Sequence, residues 1–331
     1  MISRRQLVLM LAAVAAGLSR SEPAAAQTAP KIARIGFLCA ASASGFYTKG
    51  IEAFRTGLRD LGYIDGENVV IEPRWADGKY NRLSGLANEL VQLKVDVIVA
   101  VPSPAIRAAQ KATGTIPIVF PTTGDPVGSG FAASLARPGG NITGISNSNL
   151  DVSAKLLELV RTIAPKLTLV AMLGNPASST QPAHLKSLQA AARKVGIKIL
   201  SVEVRTLGDI ERSFARMTQE GIGAVIIAAD ELALSNSRRI SELALNHRLP
   251  SITQHPYYAE VGGLMSYGQN TLDGYRRAAS YVDKILKGAR PEDIPIEQPT
   301  RFQLIINRKS AKVLGLTIPQ ELLLRADEII D

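Results

Sequence analysis

One cysteine, Cys39, stands in 331 residues, so the chain can form no internal disulfide and no cysteine-rich metal site. Three histidines (His184, His247 and His255) leave little for zinc or for a histidine-based catalytic triad. Aromatics make up 5% of the chain, with one Trp. No G-x-S-x-G, H-E-x-x-H or P-loop pattern is present. Gly128-Ser129-Gly130-Phe131-Ala132-Ala133 has the letters of a dinucleotide turn, but Pro121 to Val127 separate it from the preceding apolar run. That turn must follow a strand directly. The expectation is therefore no cofactor, no metal and no covalent chemistry. The excess of Lys and Arg over Asp and Glu, 38 to 29, is scattered among acids without interleaved aromatics. It reads as solvated surface, and no nucleic-acid partner is expected.

Long apolar runs are absent too; only Leu7–Leu18 stands out, and its 12 residues fall short of the roughly 20 that span a bilayer. With Arg4 and Arg5 before it and Ala24-Ala25-Ala26 after it, residues 1–26 read as a signal peptide cleaved before Gln27. The paired arginines fit either the twin-arginine or the general export route. Cleavage leaves 35 basic against 28 acidic residues, a net charge of +7. With no cysteine at the cut, no lipid anchor is expected. The mature chain should be periplasmic and not membrane-embedded.

What the sequence does have is 46% hydrophobic residues in a repeating βα pattern. Apolar runs at Arg34–Leu38, Val69–Pro73, Val95–Val101, Ile116–Phe120 and Asn141–Ser146 suit strands buried on both faces. Leu83, Leu86, Ala87, Leu90 and Val91 keep helical spacing between two of them. A second series follows at Leu167–Leu173, Lys198–Val204, Ala224–Ala229, Ser251–Thr253, Leu264–Ser266 and Phe302–Ile306. So many strands exceed one doubly wound sheet. The expected fold is α/β, with two doubly wound parallel-sheet lobes joined by three crossings. Residues 32–147 plus 260–291 should form one lobe and 148–259 plus 292–331 the other. The crossings are expected at 146–149, 254–259 and, in the Pro-rich stretch, 292–298.

Open parallel sheets bind ligands beyond the carboxyl ends of their strands. The loops there hold Ser42 and Ser44, then Ser103, then Thr122, Thr123 and Asp125. Such hydroxyls just ahead of helices serve either as helix caps or, together with free N–H groups, as an anion site. In the second half Ser178 and Asp230 follow strands in the same way. Asp230 either caps a helix or holds an ammonium group. Asn147 lies at a lobe crossing, and Tyr267 follows the Met265-Ser266 strand end, where it would add a stacking face.

Several stretches are more specific. Gly124-Asp125-Pro126-Val127-Gly128, Ser134 to Gly144 (SLARPGGNITG), Gly262 to Gly268 (GGLMSYG), Lys284 to Ala289 (KILKGA) and the C-terminal blocks Ile305 to Pro319 and Arg325 to Glu328 resemble the TrpX-like ABC-transporter substrate-binding proteins. The resemblance runs in order through 32–331. It implies a type I periplasmic-binding-protein fold and a receptor that hands a small molecule, such as an amino acid, to an ABC permease. A ligand-sensing module or a two-lobed enzyme are the alternatives. It also implies that Ser103, Thr122 and Thr123 meet a ligand carboxylate and Asp230 its ammonium. Pro102-Ser103-Pro104 replaces the more usual Gly-Thr-Pro loop, and Ala40–Gly45 lacks the common His-Pro pair.

Overall fold

The computed structural model describes residues 32–147, 152–178 and 181–331. The expected signal peptide and residues 148–151 and 179–180 lie outside them. The first series of runs forms β1 (Ala33–Cys39), β2 (Val69–Trp75), β3 (Val97–Val101), β4 (Ile118–Thr123) and β5 (Ile142–Ser146). They make one parallel sheet in the order β2-β1-β3-β4-β5. Between them run α1 (Gly45–Asp60), α2 (Leu83–Gln92) and α3 (Ser103–Ala112). All five residues of β3 are buried. Alternate side chains leave opposite faces of a strand. Val97 and Val99 therefore pack on one side with Phe37, Phe54 and Leu58, and Ile98 and Ala100 on the other with Leu90 and Ile106.

The second lobe begins with α4 (Val152–Ile163), β6 (Leu169–Gly174), α5 (Gln181–Lys194), β7 (Lys198–Glu203), α6 (Leu207–Gln219) and β8 (Ala224–Ile227). It continues through α7 (Glu231–Ser235), α8 (Ser237–Asn246), β9 (Ser251–Thr253), α9 (Pro256–Glu260) and β10 (Met265–Gln269). After α10 (Thr271–Leu286) come β11 (Phe302–Asn307), α11 (Arg308–Leu314), α12 (Gln320–Arg325) and β12 (Glu328–Ile330). The sheet order is β12-β11-β10-β9-β8-β6-β7. β10 and β11 pair antiparallel and the other neighbours parallel, so β11 and β12 run opposite to the other five strands, a reversal that the sequence pattern does not announce.

Two lobe boundaries differ from expectation. Nothing crosses at 254–259: α9 packs on β10 and β11, and β10 pairs with β9. The chain returns to the first lobe at Asn270, whose Oδ1 accepts the Leu272 N–H at 3.1 Å and caps α10. The segment 260–291 is thus divided, with β10 in the second sheet and α10 against α1 in the first lobe. The change of strand series after Ser251–Thr253 points to a crossing there, whereas the next run, Leu264–Ser266, extends the same sheet as β10. The Pro-rich stretch stays with the first lobe through Glu297, which bridges to Ile145, while Ile294 and Ile296 are buried in its two cores. The last crossing therefore falls between Glu297 and β11. Of the crossing expected at 146–149, residues 148 and 149 lie outside the described residues.

Candidate ligand-binding site

The carboxyl ends of both sheets meet at a cleft of about 810 Å³. Seven residues singled out from sequence line it: Ser103, Thr122, Thr123, Asp125 and Asn147 on the first lobe, Ser178 and Asp230 on the second. Thr122 and Thr123 are the last residues of β4 rather than loop residues. Ser103 opens α3, and its Oγ lies 3.4 Å from Thr123 Oγ1.

Three expected residues are elsewhere. Ser42 and Ser44 form a turn, with Ser44 N–H donating to the Ser42 carbonyl at 2.8 Å, and neither is among the residues lining the cleft. Ser44 precedes α1 without a side-chain cap bond. Tyr267 stacks on Phe302 at 5.6 Å with ring planes 16° apart. The alternation of β10 sends it into the core built on Val152, Leu156 and Ala311, away from the cleft.

Asp230 does cap a helix. Its Oδ1 accepts the Ala233 N–H at 2.8 Å, and its Oδ2 accepts the Asn175 N–H at 3.1 Å. The Leu232 N–H also bears on it, so of the about four lone-pair positions of a carboxylate one remains for the cleft. Burial raises its pKa, and the backbone N–H groups oppose that rise. Its neighbour Glu231 is placed differently. Glu231 Oε1 accepts the Ser235 hydroxyl at 2.6 Å, and Oε2 accepts the phenol of Tyr47 from the other lobe. Burial, followed by the charge of Asp230, pushes Glu231 up to about 7 against the opposing hydroxyl hydrogen bonds.

Sequence reasoning missed most of the cleft walls. Phe46, Tyr47, Tyr80, Phe131 and Tyr275 line it. Phe46 meets Tyr47 edge-on at 5.4 Å and Tyr275 edge-on at 5.9 Å. His184 and His255 also face it, both lowered by burial, His255 to about 4. Arg107 is the one Arg or Lys among the described lining residues. A signal for it existed: it lies four residues after Ser103 and shares its helix face. Tyr275 had none, because α10 joins the first lobe only after the chain has laid down β6 to β10 of the second sheet.

The lobes are closed on each other. Besides the Tyr47–Glu231 bond, Lys49 Nζ lies 2.5 Å from Glu260 Oε2 and 5.1 Å from the Tyr257 ring centroid. Among the described residues no helix is long and apolar enough to cross a membrane.

Residues 34–330 match the family described as ABC transporter substrate binding protein. The chain belongs to that family. This substrate-binding protein is 28% identical over 268 residues to a tyrosine-binding protein of Clostridioides difficile (strain R20291), covering 81% of this chain and 77% of that protein. A Streptococcus pneumoniae ABC domain in complex with L-Trp superposes with a TM-score of 0.82 at 25% identity, over 90% of this chain and 99% of that one. The ligand-free, open structure of a Clostridium difficile substrate-binding protein with adhesive properties gives 0.67 at 25% identity, over 90% and 99%. The substrate-binding protein described here thus has the type I periplasmic-binding-protein fold.

Proposed function

We propose that this substrate-binding protein takes up an amino acid with an aromatic side chain between its lobes and delivers it to an ABC permease. The observation that carries this reading is the polarity of the cleft. Hydroxyls at the start of α3 and the end of β4 stand on one lobe, Asp230 stands on the other, and aromatic rings lie among the lining residues. The first-turn N–H groups of a helix have no intrahelical acceptor and favour an anion. An N–H-oriented carboxylate suits an ammonium group. A zwitterion bridging the two would favour the closed state by binding it more tightly than the open one. The similarity to a tyrosine-binding protein and to an L-Trp complex supports the aromatic side chain.

The protein acts as a receptor without covalent chemistry. It is exported by its N-terminal segment and works in the periplasm. A sensing role for a membrane receptor would use the same cleft, and co-purification with a permease rather than a receptor separates the two. A thermal-shift screen over the twenty amino acids, sugars and polyols tests the ligand class. A ligand at 100 times its Kd adds about 2.7 kcal/mol of stability. Tyrosine or tryptophan should give the largest shift, and a shift with sugars alone would overturn the reading.

A further inference from the structure

We infer that Arg107 is the anion anchor of the cleft, so that the ligand must carry a free carboxylate. The inference rests on the cleft being the ligand site. Arg107 is partly buried, one helical turn beyond Ser103 on α3. Its guanidinium carbon lies 4.4 Å from the centroid of the Phe131 ring. Nη1 donates to Gln110 Oε1 at 2.9 Å and Nη2 to the backbone carbonyl of Ser129. Ring and acceptors fix the guanidinium plane, but both acceptors are neutral. Among the described residues no carboxylate pairs with it. The carboxylates that share the cleft are engaged elsewhere: Asp125 accepts the Gly128 N–H at 2.8 Å, and Asp230 and Glu231 hold their own partners.

A guanidinium has five N–H donors in a rigid fork, and two are used here. The remaining donors match a carboxylate, which arginine binds in bidentate fashion. Arg107 shares a helix face with the first turn of α3, where Ser103 Oγ and Thr123 Oγ1 are 3.4 Å apart. Hydroxyls, helix terminus and arginine therefore converge on one anionic group. Asp230 on the other lobe supplies the opposite charge, so a zwitterion satisfies both and an amine or amide satisfies one.

Titration calorimetry with L-tyrosine, L-tyrosinamide and tyramine on the wild type, Arg107→Gln and Arg107→Lys tests this. The wild type should prefer L-tyrosine to its amide by at least about 10-fold. Arg107→Gln should lose about 10- to 100-fold for L-tyrosine and erase the acid-over-amide preference, and Arg107→Lys should keep part of it. Unchanged L-tyrosine affinity in Arg107→Gln, or an intact preference, overturns the anchor. Should that variant not fold, equal wild-type affinity for acid and amide overturns it as well. A wild type that binds none of these probes, nor L-tryptophan, instead fails the amino-acid reading on which the anchor rests.

Discussion

Tyr47 and Glu231 are hydrogen-bonded across the two lobes, the Tyr47 phenol donating to a carboxyl oxygen of Glu231. Tyr47 sits in the first turn of α1, and Glu231 opens α7. Among the described residues Glu231 has no cationic partner. The charged and titratable groups that bear on it and on its phenol partner are Asp230, Tyr47, Tyr80, Tyr275 and Cys39. None of these supplies positive charge.

The pH dependence follows from that placement. Glu231 rises from an ordinary value of 4.5 to about 7, so the closed protein favours its neutral acid. Its contribution is complete below about 4.5 and is lost as pH rises through 7. His255 works in the opposite sense, losing stability as pH falls from 6.5 toward about 4. Melting temperatures of the wild type and Glu231→Gln from pH 5 to 8 separate the two. The wild type should lose stability relative to the variant as pH rises. Parallel curves would mean that Glu231 is ionised throughout.

Removing the phenol tests the same contact mechanically. Tyr47→Phe keeps the ring against Phe46 and leaves Glu231 with Ser235 alone. A net loss of about 0.5–1.5 kcal/mol is expected for one such bond. In ligand-free protein that shifts the lobes toward the open state. Small-angle scattering should show a larger radius of gyration than wild type, and an identical one would show that the bond does not hold the lobes.

Two glycines in helices should respond in opposite ways. A Cβ on Gly57 would lie 2.2 Å from the Arg276 carbonyl oxygen, so α1 and α10 approach as closely as they do because no side chain intervenes. Gly57→Ala should destabilise, since overpacking costs about 1–3 kcal/mol and backbone cannot move aside cheaply. A Cβ on Gly85 in α2 meets nothing within 4 Å. Gly85→Ala should therefore stabilise by roughly 0.5–1 kcal/mol. Thermal melts of the pair check both signs.

Strand positions were legible because both faces of each sheet are covered, which writes unbroken apolar runs such as Val97–Val101 into the chain. The hydroxyl half of the cleft was legible for a related reason: in a parallel sheet the residues that end strands share one edge. Ser103 and Thr123 meet at the edge of the first sheet, and Asp230 lines the same cleft from the edge of the second. The aromatic wall was not legible. Phe46 and Tyr275 satisfy the same local pattern as core residues and are in fact buried at 4% and 0% exposure. Tyr267 was misplaced because strand alternation, not proximity to a strand end, decides which face a side chain takes. The second crossing was misplaced because β10 depends on a partner, β11, that lies more than thirty residues further on.

Titration calorimetry of L-tyrosine and L-tryptophan on the wild type and Asp230→Asn tests most directly whether the cleft holds a zwitterion through Asp230. Asn caps helices about as well as Asp, so the variant keeps the Ala233 cap at the start of α7 while it loses the charge and, with one acceptor oxygen, the bond from the Asn175 N–H. Charge-assisted hydrogen bonds contribute roughly 1.5–3 kcal/mol, so the variant should bind at least tenfold more weakly than the wild type, with stability lowered by no more than the about 1–3 kcal/mol of one lost backbone partner. Equal affinity in the two proteins would contradict the account and leave Asp230 as a helix cap alone.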